Sequence, residues 1–268
     1  MKLPLLITNP SNISYVTGFA GTLGYVLLTQ SAIHLITDGR YIEAARTLVQ
    51  KKNTSPNIHF NQMKLEVHDC SKGVKELLTE LLKKHKNVSL SFEEEHMSVT
   101  KFELLKKHLR KHFTKVSLFG TTGYIEQIRT IKSDLEIQHI KKAQKITDEV
   151  LRKVKKEIKI NMSEKELAWK IQELIHKYGA DEESFPTIVA FAEHTAIPHH
   201  HPTNKKLKKG QMILIDMGVR YKGYCSDMTR TLFTKTPTPE QKMIYMTVLK
   251  AQKLAIKKIK PGVPAEHN

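Results

Sequence analysis

Residues 211–233, QMILIDMGVRYKGYCSDMTRTLF, decide how this chain folds. Residues 211–218 form a short apolar run, Arg220–Gly223 supply turn chemistry, and Tyr224–Phe233 alternate polar and apolar residues. The pattern predicts a β-hairpin. Folded at the midpoint of its two aspartates, between Tyr221 and Lys222, it sets Asp216 opposite Asp227. Directly opposed side chains have Cβ atoms roughly 4.5–5.5 Å apart, and like charges at that spacing repel. Two carboxylates on one face, just past the apolar Met212-Ile213-Leu214-Ile215, therefore point to a bound cation. Oxygen donors suit Mn²⁺, Mg²⁺ or Ca²⁺, and Zn²⁺ enters if a histidine joins them. The competing reading is a solvated aspartate pair at a sheet edge.

The phrase IDMG, followed after a short turn by GYCSDMTRT, resembles the first two metal-ligand aspartates of the metallopeptidases with the pita-bread fold. The resemblance is to the Xaa-Pro aminopeptidase and Xaa-Pro dipeptidase (prolidase) branch. Upstream, SFPTIVAFAEHTAIPHHHPTNKKLKKGQ resembles the segment that carries that branch's active-site histidine, which follows Pro198 and so falls on His199. The resemblance implies Asp216 and Asp227 as ligands of a site that, when complete, holds two divalent ions (Mn, Co or Zn). It implies His199 as the catalytic group, hydrogen-bonding the substrate carbonyl or the tetrahedral intermediate rather than the metal. His200 and His201 are candidates for substrate contact or for surface and structural roles, since three consecutive side chains cannot share one direction on a strand. Ala192 and His194 depart from the family pattern, in which glycine and asparagine are frequent.

At 268 residues the chain suits two domains of roughly 100–150 residues. No run approaches the ~18 uninterrupted apolar residues of a membrane span, and Met1-Lys2-Leu3-Pro4 opens no secretory signal, so a cytoplasmic location without membrane contact is expected. Cys70 and Cys225 lie far apart without CxxC spacing, which gives no disulfide framework. The net charge of +17 raises the question of nucleic acid. Only seven of the 44 basic residues are arginine, the lysines are spread over predicted helices, and no aromatic residues interleave with them as a stacking platform. Solvated helix faces with weak, salt-sensitive binding are expected instead of a nucleic-acid site.

Residues 1–122 read as an α/β domain. Asn9–Asn12 is a turn cluster, Tyr25–Thr29 and Ile33–Thr37 are strands, and Arg40–Val49 is helical. Ile58–Phe60, Val88–Phe92 and Val116–Phe119 are strands, Gly73–His85 is a helix, and a capping box at Thr100 and Glu103 opens another. The run Glu93-Glu94-Glu95 reads as solvated. YVTGFAGTLGYVLLT and LITDGRYIEAA resemble the creatinase-type domain that precedes the catalytic domain in the same branch; Asp38 and Arg40 receive no chemistry.

Residues 123–268 read as the catalytic domain, which the resemblance makes an α+β pita-bread domain. From Ser133 a long helix carries the stripe Ile137, Ile140, Ala143, Ile146, Val150, Val154 and Ile158. Ser163 and Glu166 cap a second helix whose Leu167, Ile171, Leu174 and Ile175 face inward, with Trp169 read as core. Phe185–Ala190 is a strand leading to the histidines. Thr238-Pro239-Glu240-Gln241 starts a last helix with Met243 and Met246 as core fillers, stopped by Pro261-Gly262.

The resemblance implies five metal ligands, the later three being a histidine and two glutamates. Only the aspartate pair is found, and Glu266 and His267 match no ligand motif of the family. The expectation is an incomplete pita-bread domain: a truncated member, a fragment or a degenerate relative, weakly active or inactive by itself. The implied activity is hydrolysis of the Xaa-Pro bond at the amino end of proline-containing peptides, with a homodimer as the implied assembly. The alternative is a non-catalytic pita-bread module that binds protein or nucleic acid.

Overall fold

Strand β1 (Leu5–Ile7) is apolar at every position and wholly buried. It lies inside a six-stranded sheet in the computed structural model, which describes residues 3–52, 59–83 and 87–264. The other strands are β2 (Tyr25–Leu28), β3 (Ala32–Thr37), β4 (Lys64–Asp69), β5 (Asn87–Glu93) and β6 (Lys115–Thr121), in the order β4-β3-β2-β1-β5-β6. The β1–β2 and β2–β3 pairs are antiparallel; β3–β4, β1–β5 and β5–β6 are parallel. Helices α1 (Pro10–Thr17), α2 (Ile42–Lys52) and α5 (Tyr124–Thr130) cover one face through Ile13, Val16, Ala45 and Ile125. Helices α3 (Val74–Leu82) and α4 (Val99–His112) cover the other through Leu78, Leu82, Leu105 and Leu109. Apolar residues on both faces are what a largely parallel sheet between helices requires.

Local chemistry corrects several sequence expectations here. The Asn9–Asn12 turn is the start of α1: the Asn9 carboxamide accepts from the Ser11 amide and Pro10 occupies the first turn. Glu93 is buried rather than solvated, accepting from the Thr8 and Asn9 amides at 2.6 and 2.7 Å and from Asn12 Nδ2 at 2.6 Å. Glu94 and Glu95 are exposed, as read. Helix α4 is capped by Ser98, not Thr100. Of the Ile58–Phe60 strand, Ile58 lies outside the described residues and the other two form a turn; the strand is β4, a few residues on.

The compact units divide at Ser133 and Asp134, and α5, with Ile125 buried in the first core, goes with the first. The second unit opens with α6 (Asp134–Glu157) and α7 (Glu164–Lys177). Ser163 and Glu166 form the expected capping box, and Leu167, Ile171, Leu174 and Ile175 are buried. Trp169, expected in the core, is 64% exposed on the opposite face of α7. Two small sheets complete the layer: β8 (Ile188–Phe191), β9 (Met212–Met217) and β12 (Met228–Phe233) in the order β12-β9-β8, and β7 (Glu182–Glu183), β10 (Val219–Tyr221) and β11 (Tyr224–Cys225) in the order β11-β10-β7. Ile213, Ile215 and Met217 alternate inward from β9 onto Ile146, Val150 and Ile171. Helix α8 (Pro239–Lys258) has the expected Thr238 capping box and proline, but none of its residues is buried, and Met243 and Met246 are 63% and 51% exposed. No helix among the described residues is long and apolar enough to cross a membrane. Glu266 and His267 lie outside the described residues.

Candidate functional site: a bent hairpin and a clamped histidine loop

The hairpin exists, with a register two residues from the one expected. Lys222 and Gly223, at φ 51° and 82°, form a two-residue turn between β10 and β11. Positive φ at both positions is the mark of the tight turn that matches strand twist, and it moves the fold point one residue along the chain. Asp216 therefore pairs with Thr229, not Asp227, and the Thr229 hydroxyl donates to Asp216 Oδ1 at 2.6 Å. The offset of two is even, so alternation carried past Met228 keeps residue 227 on the side of Asp216, diagonal to it instead of opposed.

Between β9 and β10 the hairpin bends, and Asp227 stands at the bend. Gly218 lies against Ser226: a Cβ at 218 would collide with the Ser226 carbonyl oxygen and the Ser184 hydroxyl. The Ser184 hydroxyl donates to that carbonyl at 2.9 Å, and the buried Ser226 hydroxyl meets the Val219 amide at 3.0 Å and Thr147 Oγ1 at 2.6 Å. These bonds pin the residue before Asp227, and the pairing of Met228 with Met217 holds the one after it. Asp216 is half-buried and Asp227 exposed, and among the described residues Asp227 makes no hydrogen bond or ion pair. Among the described residues, one carboxylate oxygen of Asp216 and both of Asp227 are free of donors. Hard oxygen donors of this kind fit a divalent cation, and the two carboxylates supply part of the donor set such an ion takes.

The histidines sort by depth. His199 and His201 are exposed, while His200 is buried. His199 makes no hydrogen bond among the described residues, to either aspartate or elsewhere; its imidazole is free to meet a ligand. The organiser of the loop is Glu164, the second residue of the capping sequence and fully buried. Its Oε1 accepts from the Phe191 amide at 2.9 Å and from His194 Nδ1 at 2.8 Å. Its Oε2 accepts from His200 Nε2 and the Thr203 amide, both at 2.9 Å, and from Thr203 Oγ1 at 2.6 Å. Burial alone would raise the pKa of this carboxyl; donation from Thr203, His200 and the Phe191 amide overrides it and holds the group down, from 4.5 to about 2. Although Glu164, His194 and His200 place three donor atoms within 4.8 Å of one another, five donors already fill the carboxylate. The cluster is a hydrogen-bonded clamp around residues 191–203, with His199 held at its exposed rim. An acid in the first turn of a helix ordinarily reads as a dipole partner, so nothing in the sequence marked Glu164 as buried. Ala192 within this loop has φ 50°, a conformation that suits the glycine implied there by the resemblance.

Residues 138–267 match metallopeptidase family M24, and residues 4–131 match the creatinase/prolidase N-terminal domain. An uncharacterized peptidase of Bacillus subtilis is 31% identical over 261 residues, 97% of this chain and 69% of the relative. The chain belongs to metallopeptidase family M24. An uncharacterized peptidase of Staphylococcus epidermidis is 42% identical over 171 residues, 64% of this chain, and the match spans about half (48%) of that relative's length. Among solved structures, the family's fold is matched by an Xaa-Pro dipeptidase from Bacillus anthracis, with TM-score 0.82 and 29% identity over 97% of this chain and 68% of that one. An X-Pro aminopeptidase from Thermotoga maritima matches with TM-score 0.81 and 29% identity, over 97% and 70%. The fold is thus that of a creatinase-type N-terminal domain and an M24 pita-bread domain.

Proposed function

We propose that the protein hydrolyses the Xaa-Pro bond at the amino end of proline-containing peptides, with Asp216 and Asp227 as metal ligands and His199 as the group that meets the substrate carbonyl. The observation that carries this reading is the pinned bend of the hairpin, which presents on one side of the sheet two aspartates, one bonded only to Thr229 and the other without a hydrogen bond among the described residues, in a member of a metallopeptidase family. The similarity to an Xaa-Pro dipeptidase and to an X-Pro aminopeptidase supports the substrate class.

Asp216 and Asp227 would hold a divalent ion such as Mn²⁺, Co²⁺ or Zn²⁺, and two ions once further ligands join them. When bound, the metal supplies Lewis-acid polarisation and lowers the pKa of water. The chain's own residues do the remaining work. Thr229 orients the Asp216 carboxylate through its short hydrogen bond. Ser184 and Ser226 fix the backbone that carries Asp227. The Glu164 clamp sets the loop so that His199 faces solvent, where its ring nitrogen donates to the oxygen that gains negative charge. Such a donor is worth about 3–4 kcal/mol, or 10²–10³-fold in rate.

The test is hydrolysis of Ala-Pro- and Gly-Pro-containing peptides with added Mn²⁺ or Co²⁺. Metal-dependent cleavage, weak with only these two ligands present, that Asp216→Asn or Asp227→Asn abolishes and that His199→Ala slows by at least 10²-fold, is the expected result. Cleavage indifferent to chelators, or absence of cleavage together with tight salt-dependent RNA binding, would replace the peptidase reading with the binding-module one.

A further inference from the structure

The first unit carries a second constellation of metal-ligating side chains. Strands β3 and β4 run parallel, with β4 at the sheet edge, and His34 pairs in register with Glu66. His68 is two residues beyond Glu66 and shares its face. The three side chains converge: His34 Nδ1 lies 3.0 Å from His68 Nε2 and 3.3 Å from Glu66 Oε2, and His68 Nε2 lies 3.8 Å from the same oxygen. A tetrahedral ion with bonds of about 2.0–2.1 Å needs its donors about 3.3 Å apart. These three atoms already describe one face of that tetrahedron.

Hydrogen bonding leaves the cluster incompletely satisfied. One proton between the two imidazoles serves a single edge of the triangle, and protonating both rings toward Glu66 turns two N–H groups on each other. A cation meets all three lone pairs together. Lys64 Nζ takes the other carboxylate oxygen, Glu66 Oε1, at 2.8 Å, which leaves Oε2 aimed at the rings. That lysine is 67% exposed, and its charge can swing into solvent when an ion arrives. The side chains of His34, His68 and Glu66 keep 14%, 22% and 31% exposure, enough for an ion to enter and little enough to shelter it. The Glu80 carboxylate of α3 adds negative charge near His68.

We propose that His34, Glu66 and His68 form a divalent-metal site of the zinc class, separate in sequence and in compact unit from Asp216 and Asp227, that ties edge strand β4 to β3. Two imidazoles and one carboxylate are a common zinc donor set, with a fourth position left for water. The inference does not rest on the peptidase reading, and its test is run where that site is removed. In the 268-residue chain carrying D216N and D227N, freed of metal, Zn²⁺ should bind at one equivalent and raise the thermal midpoint. Co²⁺ in its place should give the intense visible absorption of a four-coordinate ion held by two imidazole nitrogens, a carboxylate oxygen and a water. Glu66→Gln should weaken binding by about 10-fold or more, and the H34Q/H68Q pair should remove both the heat of binding and the cobalt spectrum. If that pair does not fold, His68→Gln alone, at the sheet edge, serves in its place. Failure of the D216N/D227N chain to bind Zn²⁺, or binding that survives loss of His68, overturns the proposal.

Discussion

With both of its oxygens occupied by donors from residues 191–203, Glu164 acts on the histidine loop without meeting a ligand itself. Its depressed pKa sets a pH signature. A carboxyl held below its unfolded value contributes stability that is complete above about pH 4.5 and lost as pH falls through about 2. That contribution is on the order of 3 kcal/mol. Glu164→Gln should therefore flatten the acid limb of stability between those values, measured by denaturant unfolding at stepped pH, while lowering stability at neutral pH. A limb unchanged by the substitution would show that other carboxyls govern acid unfolding. Ala192 tests the opposite kind of residue, one strained by its backbone. A non-glycine residue in the left-handed region costs roughly 1–2 kcal/mol, offset in part by the entropy of a glycine in the unfolded chain. Ala192→Gly should thus stabilise the chain by up to about 1 kcal/mol, read as a raised unfolding midpoint.

At the scale of elements, the hairpin shows what was legible in the sequence and what was not. Its existence, with one apolar and one alternating arm and an aspartate on each, followed from the apolar run, the alternation and the turn residues. Its register did not, because Arg220–Gly223 offers more than one place to turn, and only backbone dihedrals at Lys222 and Gly223 choose between them. The same limit explains α1: Asn-Pro marks a turn and a helix start alike, and the choice depends on Ile13 and Val16 finding a core. Long amphipathic patterns were safer, as α6 and α7 show, since four or five inward residues outvote any one. Gly218 was visible as a letter, while the Ser226 carbonyl against it belongs to contacts distant in the fold. Gly218→Ala should cost about 1–3 kcal/mol through that collision, and should weaken metal binding at Asp216 and Asp227 as the bend opens. Metal affinity retained at reduced stability would separate the bend from the ligand geometry.

For the molecule as a whole, the sequence conveyed two domains and their kinds because each builds its own core, one around β1 and one around α6 and α7. What it could not convey was which apolar residues go unused. Trp169 and the methionines of α8 have the spacing of core residues, yet burial requires a partner surface, and periodicity names no partner. In α8 the consequence is kinetic. Twenty residues held chiefly by a capping box and their own ladder stand close to the length at which a lone helix is marginal in water. Its amides should trade hydrogen for deuterium orders of magnitude faster than those of α6, whose inner face is sealed. Equal protection in the two helices would mean that Met243, Met246 and Leu254 are shielded in solution, for which a rise in sedimentation coefficient with concentration is the companion reading.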